Sequence, residues 1–281
     1  MSETPFDPRA SFAPGLFAGK TAVVTGGGRG IGRAIAVGFA RLGADVVIAS
    51  NAPAELEEAA PEIEALGVQC LQVEVNIRDV GSVDAFRDAC LERFGSVDYL
   101  INNAGGQFQA HPFDISDNGW RAVIDLNLNG TWNVCSRFIR HMMERKTGSI
   151  VNVAHVFSFE RGAPMFAHSG AARAGVVNLT RSLAPYAEQR NVTVNALAPG
   201  TTISPEAAAN YGMTVEEWRA EPSRARYADP EDMAAIVLFL CSPAARMLNG
   251  AVVVADAAST QFNWPARSTE DLFDEVLASF D

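Results

Sequence analysis

Ser169 and Arg173 are the residues whose types and spacing first suggest chemistry. They stand four positions apart in residues 167–175, which read Ala-His-Ser-Gly-Ala-Ala-Arg-Ala-Gly, and on a helix such residues share one face. Both side chains donate hydrogen bonds, but a serine hydroxyl is a weak acid and an arginine stays protonated in proteins. The pair is therefore suited to stabilising a developing oxyanion rather than to transferring a proton.

Two histidines lie near this pair in the predicted fold and can titrate near neutral pH. His155 follows a predicted strand, at the end where ligands bind in open α/β sheets, and both a catalytic and a structural role stay open for it. His168 precedes Ser169 directly and points about 100° away from it on the helix, which favours a structural role. His111 lies in a loop and His141 on a helix, away from the expected chemistry.

A glycine-rich turn between the first strand and the first helix predicts a dinucleotide site. Glycines let backbone amides approach a pyrophosphate, and the helix N-terminus adds a partial positive charge. Such a turn can also be a plain loop, but its strand–turn–helix context favours nucleotide binding. The residues of this turn that we assign to the cofactor are Thr25, Gly26, Gly28, Arg29, Gly30, Ile31 and Gly32.

The end of the second strand bears on the choice of cofactor. It reads Ala49-Ser50-Asn51 and lacks the acid that binds the ribose 2′-hydroxyl in NAD enzymes. Arg29 is placed to donate to a 2′-phosphate, with Ser50 and Asn51 assisting. We therefore expect NADP (NADPH) rather than NAD, although a solvated Arg29 beside a neutral strand end would discriminate poorly.

Composition and charge exclude several classes of protein. The 281 residues have a formal net charge of −11 and a pI near 4.9, which disfavours nucleic acid and anionic membranes as partners. Four scattered cysteines without C-x-x-C spacing indicate reduced core thiols, and we expect no metal. No secretory leader, peroxisomal Ser-Lys-Leu end or apolar run of about 20 residues is present. A cytoplasmic protein is expected.

β-branched runs alternate with helical segments and predict an α/β fold. We expect a single Rossmann-fold domain with a doubly wound, parallel, seven-stranded sheet and helices on both faces. A helix is predicted to begin after Asp229, with Pro230 in its first turn, and to run to about Cys241. The predicted strands are Thr21–Thr25, Asp45–Ser50, Gln69–Val75, Val97–Asn102, Ser149–Ala154, Asn191–Ala198 and Ala251–Ala255.

The chain divides into three predicted parts. Residues 1–18 form an N-terminal arm, residues 19–260 the dinucleotide-binding and catalytic domain, and residues 261–281 a C-terminal tail, in which Thr269 to Phe280 have helical periodicity. Residues 201–228 lack strand character and follow the carboxyl end of a strand, so we expect them to form a substrate lid.

Three motifs make the chain resemble the short-chain dehydrogenase/reductases from Phe12 onward. They are the Gly-x-x-x-Gly-x-Gly turn, Asn-Asn-Ala-Gly at 102–105 and Pro-Gly at 199–200. The resemblance implies a nicotinamide cofactor and places Ser169 and Arg173 where that family usually has Tyr-x-x-x-Lys. It also implies that Asn127 is the family's helix-kinking active-site asparagine. The further cofactor-binding residues that it implies are Asn76, Ile77, Asn103, Ala104, Gly105, Arg173, Pro199, Gly200 and Thr201.

Finer details resemble one branch of that family, the peroxisomal trans-2-enoyl-CoA reductases. These details are found in residues 12–16, 102–108, 168–175 and 263–265. The related 2,4-dienoyl-CoA reductases also lack the usual tyrosine. Resemblance to this branch implies reduction of a carbon–carbon double bond.

At three places the sequence differs from the residues expected in this branch, and these differences bear on the identity of the substrate more than on the fold. Asn51 replaces an expected arginine, which weakens the expectation of NADPH. His155 replaces the serine of the usual triad. Residues 256–258 read Asp-Ala-Ala where Asp-Gly-Gly is expected.

The leading hypothesis is an oxidoreductase of fatty acid metabolism that reduces the 2,3 double bond of an enoyl thioester, with an acyl-CoA as its small-molecule substrate. One alternative is a dehydrogenase of a hydroxyacyl thioester, terpenoid or steroid-like alcohol that uses His155. Another is a catalytically silent cofactor-binding subunit. Arg219, Arg224 and Arg226 in the lid are candidates for coenzyme A phosphates, or belong to a solvated charged face.

The resemblance also implies a homo-oligomer, a tetramer, paired through helices that correspond to residues 117–145 and 167–189. Apolar residues on these helices are candidate contacts, although they equally suit packing against the sheet. They include Val134, Phe138, Val177 and Leu183.

Overall fold

A computed structural model describes residues 8–158, 162, 164–210, 212–220 and 227–258. The strands are β1 (Thr21–Thr25), β2 (Asp45–Ser50), β3 (Cys70–Glu74), β4 (Tyr99–Asn102), β5 (Gly148–Val153), β6 (Val192–Pro199) and β7 (Val252–Ala255). They form one sheet in the order β3-β2-β1-β4-β5-β6-β7, and every pairing is parallel. The predicted Rossmann architecture is confirmed.

The strands end within one or two residues of the predicted positions. β4 begins at Tyr99 rather than Val97, although the backbone of Asp98 still bonds to Thr21 and Ser149 of the neighbouring strands. β6 begins after Asn191, which adopts a left-handed backbone conformation with φ of 54° and so cannot continue a strand.

Helices cover both faces of the sheet. They are α1 (Gly30–Arg41), α2 (Pro53–Glu64), α3 (Val80–Phe94), α4 (Asp117–Ile124), α5 (Gly130–Arg145), α6 (Ala167–Glu188), α7 (Pro205–Asn210), α8 (Val215–Ala220) and α9 (Pro230–Cys241). A π-helical turn, Asp125–Asn129, joins α4 to α5. Short 3₁₀ turns lie at Pro8–Ser11, Pro112–Asp114, Val156–Ser158, Pro164–Phe166 and Pro243–Ala245. The predicted helix that ends at Cys241 is confirmed as α9.

Neighbouring strand residues point to opposite layers of the core. Val24 of β1 packs with α1, α2 and α9, whereas Val23 packs with α3, α5 and α6. All five residues of β1 are buried, as is typical of a parallel sheet covered on both faces. Phe17, near the end of the segment 1–18, is fully buried against the rings of Phe39 and Tyr99.

The candidate interface residues turn out to be core residues. Val134 and Phe138 are fully buried in the layer between the sheet and α5, and Val177 is 3% exposed. Leu183 packs against the same layer as Val134. Val134, Phe138 and Val177 therefore face the interior and are not available to a partner subunit, whereas Leu183 is only partly buried.

The segment 201–228, which we predicted to be a substrate lid, contains the short helices α7 and α8. Its two ends are joined by a bridge between Thr202 and Ala228, and the backbone of Ile203 donates to Ala228. Both ends of the segment are therefore anchored at the carboxyl end of β6. Residues 211 and 221–226 lie outside the described residues, and with them Arg224 and Arg226.

The C-terminal motif at 263–265, the tail segment with helical periodicity in its sequence and residues 1–7 also lie outside the described residues. In the described part of the chain, no helix is both long and apolar enough to cross a membrane. All four cysteines are described, and none forms a disulfide. Burial raises the pKa of each of their thiols to about 12, so they are protonated at neutral pH.

Candidate active site

The turn between β1 and α1 has no room for a side chain at several of its glycines, of which Gly26 and Gly32 are two. Gly26 has φ of 64°, and an added Cβ would lie 2.9 Å from the Asn103 amide nitrogen. At Gly32, an added Cβ would collide with the carbonyl oxygen of Gly26. Arg29, at the N-cap of α1, makes no side-chain capping bond. The amides at the start of α1 therefore lack a side-chain cap from this position, which suits an anionic ligand.

Thr25 and Asn103 hold this turn against the loop after β4. The Thr25 hydroxyl accepts bonds from the backbone amides of Asn103 and Ala104, each at 3.0 Å. The Asn103 side chain donates to the carbonyls of Thr25 and Gly26, at 3.1 and 3.2 Å. The motifs after β1 and β4 are therefore one rigid unit.

A cavity of about 530 Å³ opens over the glycine turn and the ends of β2 and β3. This first cavity has the size of a small-molecule site. The assigned cofactor residues that line it are Gly26, Arg29, Gly30, Ile31, Ser50, Asn51, Asn76, Ile77, Asn103, Ala104 and Gly105. Thr25, Gly28 and Gly32 do not line the cavity and instead shape the turn beneath it.

A second cavity of about 510 Å³ continues from the first. The residues common to both are Ile31, Asn103, Gly105, Thr202 and Ala207. The second cavity brings together the predicted residues Asn127, His155, Arg173, Pro199, Gly200 and Thr201. The two cavities therefore form one cleft along the carboxyl ends of the strands, with room for a dinucleotide and a substrate beside it.

Asn127 lies in the π-helical turn and is 1% exposed. Its amide nitrogen donates to the carbonyls of Gly106 (2.7 Å) and Val123 (2.8 Å), and its amide oxygen accepts from the Gly106 N–H at 3.2 Å. A π turn has i to i+5 backbone hydrogen bonds, so the regular ladder of the helix is interrupted at Asn127. Asn127 thus fixes the backbone of Gly106, which also lines the second cavity.

Arg173 places a buried positive charge at the second cavity. The side chain is 8% exposed, and its guanidinium donates to the carbonyl of Val153. It forms no ion pair with an acid of the described chain. Burial lowers its pKa to about 10, so it remains charged at neutral pH. An added Cβ at Gly105 would collide with this guanidinium.

Ser169 does not line either cavity, contrary to our expectation of a direct donor. Its hydroxyl donates to the Gln107 side-chain oxygen at 2.6 Å, and Gln107 lines the second cavity. Because the Gln107 side-chain oxygen accepts this bond, its amide nitrogen can donate to another group. We did not single out Gln107 from the sequence, although it lies in the motif at 102–108.

The two histidines near the site differ in their surroundings. His155 lines the second cavity, and burial together with the Arg173 charge lowers its pKa to about 4. It is therefore neutral at pH 7. His168 is fully buried and accepts from the Ser169 backbone N–H at 2.9 Å. Its ring packs nearly perpendicular to that of Phe108, with the ring centroids 4.4 Å apart. These contacts support the structural role that we favoured for His168.

Two arginines have acidic partners that we did not anticipate. Arg29 lies 3.3 Å from the carboxylate of Glu55, which also lines the first cavity. Arg219 pairs with Asp229 at the start of α9, so its charge is already balanced. No group of three or more His, Cys, Asp or Glu suited to a metal occurs among the described residues.

The family model described as Enoyl-(Acyl carrier protein) reductase matches residues 26–259. The chain is a short-chain dehydrogenase/reductase. This membership confirms the resemblance found in the sequence and identifies an oxidoreductase fold that binds nicotinamide cofactors.

Curated relatives support the predicted branch. The peroxisomal 2,4-dienoyl-CoA reductase of Rattus norvegicus is 35% identical over 253 residues, covering 88% of this chain and 86% of the relative. The 3-oxoacyl-[acyl-carrier-protein] reductase of Staphylococcus aureus (strain Mu50) is 34% identical over 235 residues, covering 83% and 95%. Among solved structures, the citronellol catabolism dehydrogenase of Pseudomonas aeruginosa PAO1 superposes with a TM-score of 0.78 at 34% identity, covering 89% and 98%.

Proposed function

We propose that this protein reduces the 2,3 double bond of an enoyl thioester, an acyl-CoA, with NADPH. The observation that carries the proposal is the buried Arg173 guanidinium at the second cavity, which no acid of the described chain neutralises. A buried cation of this kind suits a substrate whose transition state develops negative charge on oxygen. An enolate oxygen on a thioester is such a group.

The proton donor of an ordinary alcohol dehydrogenase of this family is absent from the chain. Its only lysines are Lys20 and Lys146, and neither follows a tyrosine by four positions. Ser169 and Arg173 take the place of the usual pair. This favours chemistry that needs hydrogen-bond donors over chemistry that needs a phenol.

The residues of the first cavity fit a nicotinamide dinucleotide. Glycine-only positions under the cleft allow backbone amides to approach a pyrophosphate, and Arg29, Ser50 and Asn51 surround the position of the ribose. We propose NADPH because β2 ends without an acid and because Arg29, although paired with Glu55, lines the same cavity and is the cation best placed for a 2′-phosphate. When bound, the cofactor would supply a hydride to the β-carbon of the substrate, and the enolate so formed would take a proton at its α-carbon from solvent water.

The protein's own residues stabilise the charge that this transfer creates. Arg173 and the Gln107 amide donate to the thioester oxygen, and Ser169 orients Gln107 through its 2.6 Å hydrogen bond. Asn127 holds the Gly106 backbone, which also lines the second cavity. Each such donor typically contributes about 2–4 kcal/mol to transition-state stabilisation.

The test is anaerobic mixing of the protein and NADPH or NADH with 2-enoyl-CoA thioesters of short, medium and branched chains. Loss of nicotinamide absorbance with a saturated acyl-CoA product is the expected result. A 2,4-dienoyl-CoA and a 3-hydroxyacyl-CoA serve as comparison substrates. Oxidation of the hydroxyacyl-CoA with no reduction of any enoyl-CoA would overturn the proposal.

A dehydrogenase of an alcohol such as a terpenoid is the second candidate. Its support is the similarity to the citronellol catabolism dehydrogenase. The low pKa of His155, about 4, argues against it, because a neutral imidazole is a very weak acid through its one remaining N–H, and an imidazole with so low a pKa accepts protons poorly at pH 7. Inactivity with every substrate despite cofactor binding would instead favour a silent cofactor-binding subunit.

We also propose that the protein is a cytoplasmic homotetramer. We place the contact between subunits on the outer faces of α4, α5 and α6, since the inner faces of α5 and α6 are buried. Large apolar side chains stand exposed there, namely Trp120, Trp132 and Tyr186, as they often do at interfaces. Sedimentation at micromolar concentration tests this, and a monomer would refute it.

A further inference from the structure

We propose that Glu55 supplies, from the first turn of α2, the carboxylate that the end of β2 lacks. Its charge then sets the balance between NADH and NADPH by opposing Arg29. The inference deepens the proposed function and rests on its assignment of a nicotinamide cofactor. It identifies a specificity residue that the sequence pattern at the end of β2 does not contain.

Glu55 occupies a defined position beside the glycine turn. It lines the first cavity together with Ser50 and Asn51. An added Cβ at Gly28 would lie 2.8 Å from the Glu55 Cβ and 2.9 Å from its carbonyl oxygen. The first turn of α2 therefore packs directly on the glycine turn, which holds the Glu55 backbone next to the ribose-binding end of β2.

The charges around this part of the cavity are few. Glu55 is the only acid among the described residues that line it, and Arg29 and Arg78 are the only bases. Arg29 lies 3.3 Å from the Glu55 carboxylate, whereas Arg78 donates through its side chain to the Asn76 amide oxygen at 3.2 Å. The cation best placed for a 2′-phosphate is thus paired with an acid at the same site.

The two cofactors interact with this pair in opposite ways. The 2′-hydroxyl of NADH can donate a hydrogen bond to a carboxylate, as it does to the usual acid of β2. A 2′-phosphate is repelled by Glu55 and competes with it for the Arg29 guanidinium. The side chains of Arg29 and Glu55 are 56% and 30% exposed, so solvent and salt moderate the effect. We expect about a tenfold change in relative affinity.

The experiment measures dissociation constants of NADPH and NADH by nicotinamide fluorescence for the wild type, Glu55→Gln and Glu57→Gln. Glu57 lies on the same helix, is exposed and does not line the cavity, so its variant removes the same charge elsewhere. Glu55→Gln is expected to raise the preference for NADPH over NADH about tenfold at low salt and less at high salt. Glu57→Gln is expected to leave it unchanged, and Arg29→Ala to lower it.

The inference fails if Glu55→Gln shifts the preference no more than Glu57→Gln, or shifts it towards NADH. A wild type that binds neither nucleotide would overturn both this inference and the proposed function. If the nucleotides bind but no enoyl-CoA is reduced, only the proposed reaction falls. The comparison of the two glutamate variants then still decides the role of Glu55.

Discussion

Replacing Thr25 by valine removes the hydroxyl but keeps nearly the same side-chain volume, so it tests what the hydroxyl contributes to stability. The hydroxyl is 1% exposed, accepts from the backbone amides of Asn103 and Ala104, and donates to the carbonyl of Ile101 at 3.3 Å. Valine fills nearly the same volume but leaves both amides without their acceptor. Each unsatisfied amide costs about 1–3 kcal/mol, and these two amides are only partly buried. We therefore expect a total loss of about 2–4 kcal/mol.

Thr25→Ser is the matched control, because it keeps the hydroxyl and removes only a methyl group. Its expected loss is about 1 kcal/mol. In thermal unfolding followed by circular dichroism, a loss of 2–4 kcal/mol corresponds to roughly 3–7 °C for a chain of this size. Titration with NADPH at a temperature where both variants are folded should show weaker binding for the valine variant, since the loop after β4 lines both cavities. A valine variant as stable as the serine variant would refute the reasoning.

Three further outcomes are expected. Arg173→Ala should lower turnover by one to three orders of magnitude, whereas Ser169→Ala should lower kcat about tenfold and add little to a Gln107→Ala variant, which a double-mutant cycle checks. Folding lowers the pKa of His155 to about 4, so the unfolded chain binds more protons than the folded protein between pH 4 and 6.5. The free energy of unfolding should therefore rise with pH across that window. In urea unfolding, His155→Gln should reduce this rise by roughly 2–3 kcal/mol. Ala258→Gly should stabilise the protein by about 0.5–1 kcal/mol, because Ala258 has φ of 63°, a conformation that costs an alanine about 1–2 kcal/mol. A destabilised glycine variant would contradict this.

Local patterns were sufficient to predict the sheet and the glycine turn. The strands formed by β-branched runs and the turn at 25–32 are determined by residues that are close in sequence, so short stretches were enough to predict them. The same holds for the start of α9, where Asp229 and Asp232 form the capping box with each other's backbone. Strand ends were less predictable because the last residues depend on the neighbouring strand.

Features that depend on contacts between distant segments were missed. Glu55 and Gln107 reach the cleft because α2 packs on the glycine turn and because Ser169, on α6, bonds to the loop after β4. No periodicity in their own segments indicates this. Likewise, the apolar stripe of α5 was compatible with a subunit contact or with the sheet, and only the packing of Val134 in the core decides between them.

The junction between the two cavities has a consequence for the order of events in a catalytic cycle. Ala207 of α7 lines both cavities, and so does Thr202 at the base of the lid. A dinucleotide bound across the junction would form part of the wall of the second cavity. The surface that contacts the substrate would then be complete only after the nucleotide has bound. This geometry favours compulsory-order kinetics, with the nucleotide first to bind and last to leave. Oxidised nucleotide should then inhibit competitively against the reduced one and noncompetitively against the thioester.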